Sequence, residues 1–490
     1  MKVLAFDFGA SSGRAILGIY KNGSLQMEEI HRFPNDPVMV NGTFYWDILR
    51  LFHETKQSIT KCVTLGHSDI ESVGIDTWGI DFGLLDEDGY LLENPVHYRD
   101  KRTEDVMEKV FEEVDKQRVY ESTGIQNMNI NSLFQLCSLK YNRPELLKRA
   151  KTLLFTPDLL AYFLTGEKHV EYTIASTSQF INAKTRDYDK QLLKDLEIDI
   201  SIFPSIIMPG QSYGKLSQEL ADELGVKQFE VIAVATHDTA SAITAAPMKK
   251  NEKSFYISSG TWSLLGTELD EPVINQQSFE NEIANEGGAN NKICFLKNIS
   301  GLWLLQETRR QWNREGNDIS FKDIDKMLEN ETSANIYIDP SHPSFVASGN
   351  MPKRINAFLE KTNQQIPKTK GQTALCILES LALAYRYYIE TMEDILGYKA
   401  ETIHIIGGGV KDKNLCQFTA NSTGKKVTAG PVEATAIGNI NIQLIAKGQI
   451  ESIEKARETI EDVDVYNPQD LGTWNKKYEE FLKIRGLDNV

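Results

Sequence analysis

Cysteine is scarce in this 490-residue sequence: five residues, Cys62, Cys137, Cys294, Cys376 and Cys416, are scattered, odd in number and without a CxxC pair. That pattern excludes a disulfide framework and a zinc site, and it implies reduced, buried thiols. Positive charge is also in deficit, since 53 Lys and Arg against 69 Asp and Glu leave a formal net charge of -16. With no chain-wide basic field to release counterions, neither nucleic acid nor an anionic membrane surface is expected as a partner. No apolar run approaches the roughly 18 residues of a membrane span, and Asp7 and Arg14 interrupt the opening MKVLAF before a signal-peptide core forms. The expectation is a cytoplasmic protein. There is no low-complexity stretch and no Pro/Gly/Ser linker either, so any domain boundary lies in a short connection.

The common phosphate motifs are missing as well. PGQSYGKL sets its glycines too close for a P-loop and places Leu216 after the lysine, and STGKKV lacks the upstream glycine. IIGGGVKD has Asp412 where a dinucleotide fingerprint needs its last glycine. HYRDKR has Asp105 where a protein-kinase catalytic loop needs asparagine. HExxH and GxSxG are absent, and the eight histidines form no ligand cluster, which leaves zinc and serine hydrolase chemistry unmotivated.

What remains is an ordinary globular composition, 41% hydrophobic and 25% charged, in a chain long enough for two large domains. The best boundary is APMKKNEKSF, residues 246–255, where a small-residue helix pattern gives way to Pro247, charges and a new β-like run. It divides the chain into 1–245 and 246–490. Each half opens on a strand, a small-residue loop and a second strand: AFDFGASSGR within the first, SFYISSGTWSLLGTEL in the second. Each half later carries a β-branched strand that turns tightly into a helix, FEVIAVATHDTASAITAA and then ETIHIIGGGVKDKNLCQFTANSTG. TWNKKYEEFLKIRG places Trp474, Tyr478, Phe481 and Leu482 at helical spacing for core packing, and LESLALAYRYYIETMEDIL reads as a buried helix with structural tyrosines. From pattern alone AFDFGASSGR fits either a hairpin turn or a phosphate-binding loop with Asp7 beside a cation. Asp238, between VIAVAT and TASAITAA, likewise fits a plain helix cap.

In order along the chain stand DFGASSGR, GIDTWGIDFGLLDEDG, YRDKR, PDLLAYFLTGE, VATHDTASA, SSGTWSL, NEGGAN, LKNISGLWLLQ, IIGGGVKD and AGPVEATAIGNI. This series, from residue 3 to about 445, resembles the FGGY family of carbohydrate kinases. The pairing of DTWG with THDTAS and SSGTWSL brings it nearest the branch that acts on L-rhamnulose. The resemblance implies an α/β fold of two RNase-H-like domains of the actin and hexokinase type around a central cleft, with sugar held mainly by the first and ATP mainly by the second. It implies transfer of phosphate from MgATP to the 1-hydroxyl of L-rhamnulose. A kinase of L-fuculose or xylulose, or a non-catalytic actin-like nucleotide-binding module, is the alternative. A monomer or small homo-oligomer is expected.

Site residues follow from the same resemblance. Asp238 is the general base, and Gly79, His237, Asp238, Thr239 and Asn298 contact the sugar. Ala10, Ser11, Ser12, Gly13 and Arg14 surround the polyphosphate, with Gly13 free to take positive φ and Arg14 adding a charge-assisted bond. Asp7 holds Mg²⁺ directly or through water. Thr261 binds phosphate, Gln306 lies near ATP, and Gly408 lets the adenosine rest on backbone. Trp78 is read as core.

Overall fold

The computed structural model describes residues 1–346, 348–461 and 463–487. The chain forms two compact units. Unit 1 takes Met1–Ala245 and two later segments, Glu268–Phe295 and Ala434–Thr459; unit 2 takes Ala246–Thr267, Leu296–Glu433 and the chain from Ile460 on. One junction falls between Ala245 and Ala246, and the chain returns to unit 1 twice, at Glu268 and Ala434.

Unit 1 is built on six strands: β1 (Lys2–Phe8), β2 (Ser12–Lys21), β3 (Ser24–Pro34), β4 (Ser72–Thr77), β5 (Ser212–Lys215) and β6 (Glu230–Ile232). They lie in the order β5-β6-β4-β1-β2-β3. β1, β2 and β3 form an antiparallel meander, whose second turn places Asn22 and Gly23 at φ 54° and 80°, as a two-residue hairpin loop requires. β4 runs parallel to β1, and β6 parallel to β4. The alternation in KVLAFDF decides the layering. Leu4, Phe6 and Phe8 enter one core, while Val3 and Ala5 enter another with Ile440 and Leu444 of the helix Ala434–Ala446. That second layer is the physical reason residues far beyond 245 belong to unit 1.

Unit 2 repeats the theme with β7 (Ser254–Ser259), β8 (Trp262–Leu269), β9 (Ile293–Ser300), β10 (Thr402–Ile406), β11 (Lys426–Ala429) and β12 (Asp464–Tyr466), which stand in the order β9-β8-β7-β10-β11-β12 in a seven-stranded sheet whose remaining strand, Ala284–Gly287, lies beside β9. β7 and β8 are antiparallel, β10 is parallel to β7, and β11 parallel to β10. The layout similarity read from the sequence is thus a similarity of strand order. The helix Lys370–Leu396 is buried along most of its length, and its Tyr385 hydroxyl bonds to Ser263 Oγ at 2.6 Å, a structural use. In the helix Leu471–Leu487, Trp474, Tyr478 and Phe481 are buried, but Leu482 is exposed and Ile484 takes its place in the core. Adjacent positions on a helix point about 100° apart, and on this helix that rotation carries Leu482 out of the face that buries Phe481. All five cysteines are buried free thiols. Among the described residues no helix is long and apolar enough to cross a membrane.

Candidate active site

β1 and β4 end side by side, with Asp7 opposite Asp76 and Phe8 opposite Thr77. Thr77 in turn forms a parallel bridge with His237, and its N–H donates to the Thr236 carbonyl at 2.8 Å. Three adjoining segments of unit 1 thereby bring Asp7, Asp76 and Asp238 to the carboxyl edge of its parallel strands, the edge at which open α/β sheets bind ligands.

The three carboxylates have different surroundings. Asp7 Oδ2 accepts from both Nε and Nη2 of Arg14, at 2.9 and 2.8 Å, across the antiparallel β1–β2 pair. Asp7 Oδ1 has no protein hydrogen bond among the described residues. Asp76 is fully buried. Its Oδ2 accepts from Asn439 Nδ2 at 2.6 Å, while Oδ1 has no partner among the described residues. Burial, then the charge of Asp7, raises the Asp76 carboxyl well above the usual carboxylate range. Asp238 opens the helix Asp238–Thr244, and the helix cap is His237, so the plain capping role is not the one Asp238 has. Its Oδ1 accepts from the Thr239 N–H at 2.6 Å. The Asp238 side chain keeps 34% of its surface accessible, with protein packed around the rest. That burial and the nearby Asp7 charge push it up to about 7.

The loop before Asp238 is braced from behind. Glu171, fully buried, accepts from Thr173 N–H and Oγ1, from Ile174 N–H, and from both the N–H and Oγ1 of Thr236 at 3.2 and 2.5 Å. Thr173 Oγ1 also accepts the His237 N–H at 3.2 Å. Arg457 closes the far end of the Asp238 helix by donating to the carbonyls of Ile243 and Thr244.

Gly79 faces His237: a Cβ placed on it would lie 3.2 Å from Thr177 Oγ1 and 3.5 Å from His237 Nε2. The next residue, Ile80, sits at φ 67°, an outlier for a β-branched residue that costs about 1–3 kcal/mol. It is held by the Asp81 N–H on the Gly79 carbonyl (2.9 Å) and by its own N–H on Thr177 Oγ1 (3.2 Å). Asp81, also buried, anchors the turn by accepting from the indole N–H groups of Trp46 and Trp78, from Gln135 and from the Tyr98 N–H. Trp78 is core, with its ring centroid 4.0 Å from that of Trp46. Gly79, His237, Asp238 and Thr239, expected together from the sequence, are together here.

In the loop after β1, Ala10 and Ser11 are exposed and Ser12 half-buried, with the Gly9 N–H donating to the Ser12 carbonyl at 2.9 Å. Gly13 does not use the positive φ expected of it. It lies in β2 without positive φ, and it is glycine because a Cβ would stand 2.3 Å from the Phe33 ring. Arg14 is engaged by Asp7, as described.

Unit 2 carries the other expected residues. Thr261 Oγ1 donates to Gln306 Oε1 at 3.3 Å, and the Trp303 N–H donates to the Thr261 carbonyl, seating the helix Trp303–Arg314 on the loop between β7 and β8. The triple glycine packs on the end of β7, where a Cβ at Gly409 would lie 1.9 Å from Ser259 Oγ; at Gly408 the space is open. Asn298 is half-buried on β9.

Asp76, Asn439, Glu286 and Glu171 were not assigned from the sequence. The first three stand inside quoted motifs, GIDTWG, AGPVEATAIGNI and NEGGAN. Glu171 lies in EYTIAS, where only an acidic residue just before a short helix hinted at a cap.

Residues 2–245 match the N-terminal domain of the FGGY family of carbohydrate kinases, and residues 255–447 match its C-terminal domain. The chain is 44% identical to a rhamnulokinase of Oceanobacillus iheyensis, over 94% of this chain and 97% of that one. It is 42% identical to a rhamnulokinase of Bacteroides thetaiotaomicron, over 97% and 98%. Its fold is similar to that of a xylulose kinase from Lactobacillus acidophilus, with a TM-score of 0.83 at 16% identity over 99% and 98% of the two chains. A Plasmodium falciparum glycerol kinase with ADP gives 0.80 at 16% identity over 99% and 97%.

Proposed function

Because the chain belongs to the FGGY family of carbohydrate kinases, we propose that it transfers the γ-phosphoryl group of ATP to the 1-hydroxyl of L-rhamnulose, giving L-rhamnulose 1-phosphate and ADP. The choice of sugar rests on relatives 36–44% identical over nearly their whole length that carry that activity in their names. The chemistry rests on one observation: an accessible carboxylate, Asp238, pushed up to about 7 and set beside the bare backbone of Gly79.

Phosphoryl transfer asks the protein for alignment and electrostatics more than for covalent help. Gly79, His237, Thr239 and Asn298 hold the ketose. As its 1-oxygen attacks the γ-phosphorus, Asp238 takes the hydroxyl proton, the new O–P bond forms, and the bond to the β,γ-bridging oxygen breaks to release ADP. A base titrating near 7 is half ready at physiological pH and still basic enough to drive the transfer. Ala10 to Arg14, Thr261, Gln306 and Gly408 hold ATP. Mg²⁺ fits the donors available, since it keeps much of its water and needs only one or two carboxylates; Asp7 Oδ1 and the unpartnered Asp76 Oδ1 are such groups. When bound, the ion neutralises charge on the phosphates.

ADP release measured over a panel of ketoses tests the reading. Rhamnulose-dependent turnover is expected, and turnover confined to another ketose, or none, refutes it. Asp238→Asn, which keeps shape and removes the proton acceptor, should lower kcat by roughly 10² to 10⁴ with little change in sugar KM.

A further inference from the structure

His237 lies between two carboxylates of unit 1. Its Nδ1 stands 3.4 Å from Glu286 Oε2, and its Nε2 stands 3.5 Å from Asp238 Oδ1. The residue is 93% buried, and its Nδ1 has no hydrogen-bond partner among the described residues. Glu286 is delivered to it by a short strand, Ala284–Gly287, fixed on both sides: the Asn285 N–H donates to the Gly124 carbonyl and the Gly287 N–H to Ser176 Oγ. Gly287 lets that strand lie flush on the helix that positions His237, because a Cβ there would stand 2.5 Å from the Tyr172 ring. The acidic residue of NEGG is therefore placed, by packing, at the one imidazole nitrogen that faces away from Asp238.

We propose that Glu286 is a positioning residue that holds His237 as the neutral Nδ1–H tautomer, so that Nε2 presents a lone pair to a sugar hydroxyl beside the reacting one. The inference rests on the reading that His237 contacts the ketose. Both carboxylates attract the ring proton, and Glu286, with 8% of its side chain exposed against 34% for Asp238, is the one less screened by solvent. A proton on Nδ1 faces the Glu286 carboxylate, whereas a lone pair there would oppose it, and a histidine's tautomer is set by what its other nitrogen bonds. Burial lowers the affinity of His237 for a second proton, against the pull of Glu286, which keeps the ring neutral. Left alone, the Nε2 lone pair and Asp238 Oδ1 are two acceptors 3.5 Å apart; a hydroxyl that donates to one of them relieves the opposition. The contact distances are about half an ångström beyond good hydrogen bonds, and site contacts of this kind tighten when the ligand arrives.

The test uses the full-length protein labelled with ¹⁵N-histidine, the His237 signals being assigned by their loss in His237→Asn. Long-range ¹H–¹⁵N correlation then reports which ring nitrogen carries the proton, without sugar or ATP. The wild type should show Nδ1–H, and Glu286→Met should shift the ring toward Nε2–H, raise the KM for rhamnulose about tenfold, and leave kcat and the KM for ATP within threefold. Glu286→Gln, which keeps an oxygen able to accept from Nδ1, should restore most of the tautomer and most of the KM. An Nε2–H ring in the wild type overturns the inference even if Glu286→Met fails to fold. So does an unchanged tautomer in Glu286→Met, or a switched tautomer with unchanged sugar KM. A protein inactive on every ketose that nonetheless shows Nδ1–H fails the kinase reading and not the role of Glu286 on His237.

Discussion

Asp238 is pulled two ways: the Thr239 N–H stabilises its charged form, while burial and the Asp7 charge oppose it, and the outcome is a carboxyl pushed up to about 7. A raised carboxyl is protonated below that value and cannot accept the hydroxyl proton, so kcat/KM for sugar should rise with pH through about 7 and level off above it. Asp7→Asn removes the second cause and leaves the first. In the free protein, ¹³C-carboxyl titration should therefore place Asp238 of the variant below its wild-type value yet above an ordinary aspartate; an unmoved titration would show that Asp7 does not act on Asp238. Residues of this kind are partly legible in sequence. Asp7 stood out from the loop pattern as one of two readings, and the family resemblance is what chose a role for it and for Asp238. Asp76 stood within a quoted motif and was passed over, because its significance lies in register: only the parallel pairing of β1 with β4 sets it opposite Asp7.

At the scale of elements, the helix Asp238–Thr244 is too short to be stable by itself and owes its position to what it packs against. The helix Ala434–Ala446 crosses it closely enough that a Cβ on Gly438 would lie 1.8 Å from the Ser241 carbonyl oxygen and 2.4 Å from Thr244 Oγ1. Both obstacles belong to the short helix, and one is backbone, so no side-chain rotation makes room. Gly438→Ala should destabilise the protein by about 1–3 kcal/mol or more, by the cost of overpacking. It should also lower kcat by displacing the helix that carries Asp238. Denaturant unfolding and turnover on the same preparation check both; wild-type stability in both measures would mean the helices are not so closely seated. The strands and long helices were readable from alternation and spacing, and the Asn22-Gly23 turn from composition. Neighbouring elements distant in sequence were not, and even across one hairpin Gly13 was credited with conformational freedom when its actual neighbour is Phe33, twenty positions on in the next strand, β3.

For the whole molecule, the sequence offered a single cut after residue 245, and the tail beyond about 445 offered little to compare. The reason is physical: apolar alternation marks that a strand has two buried faces, without saying what covers each. One face of the unit 1 sheet, through Val3, Ala5 and Ile16, is covered by Ile440 and Leu444, and Val234 and Ala235 pack with Ile442 and Ile453. Full burial of side chains of this size is worth about 1.5–3 kcal/mol each, so four of them together are comparable with the 5–15 kcal/mol by which a domain is stable. The same segment brings Asn439 to the buried Asp76 and Arg457 to the end of the Asp238 helix. A chain ending at residue 245 therefore loses a core layer, a partner for a fully buried carboxylate and a helix clasp at once. It should show no cooperative thermal transition and should bind a hydrophobic dye such as ANS, whereas the full chain should do the reverse under the same conditions. A fragment 1–245 that melts cooperatively within a few degrees of the intact protein would mean that this layer contributes little, and that unit 1 ends where the sequence pattern first breaks.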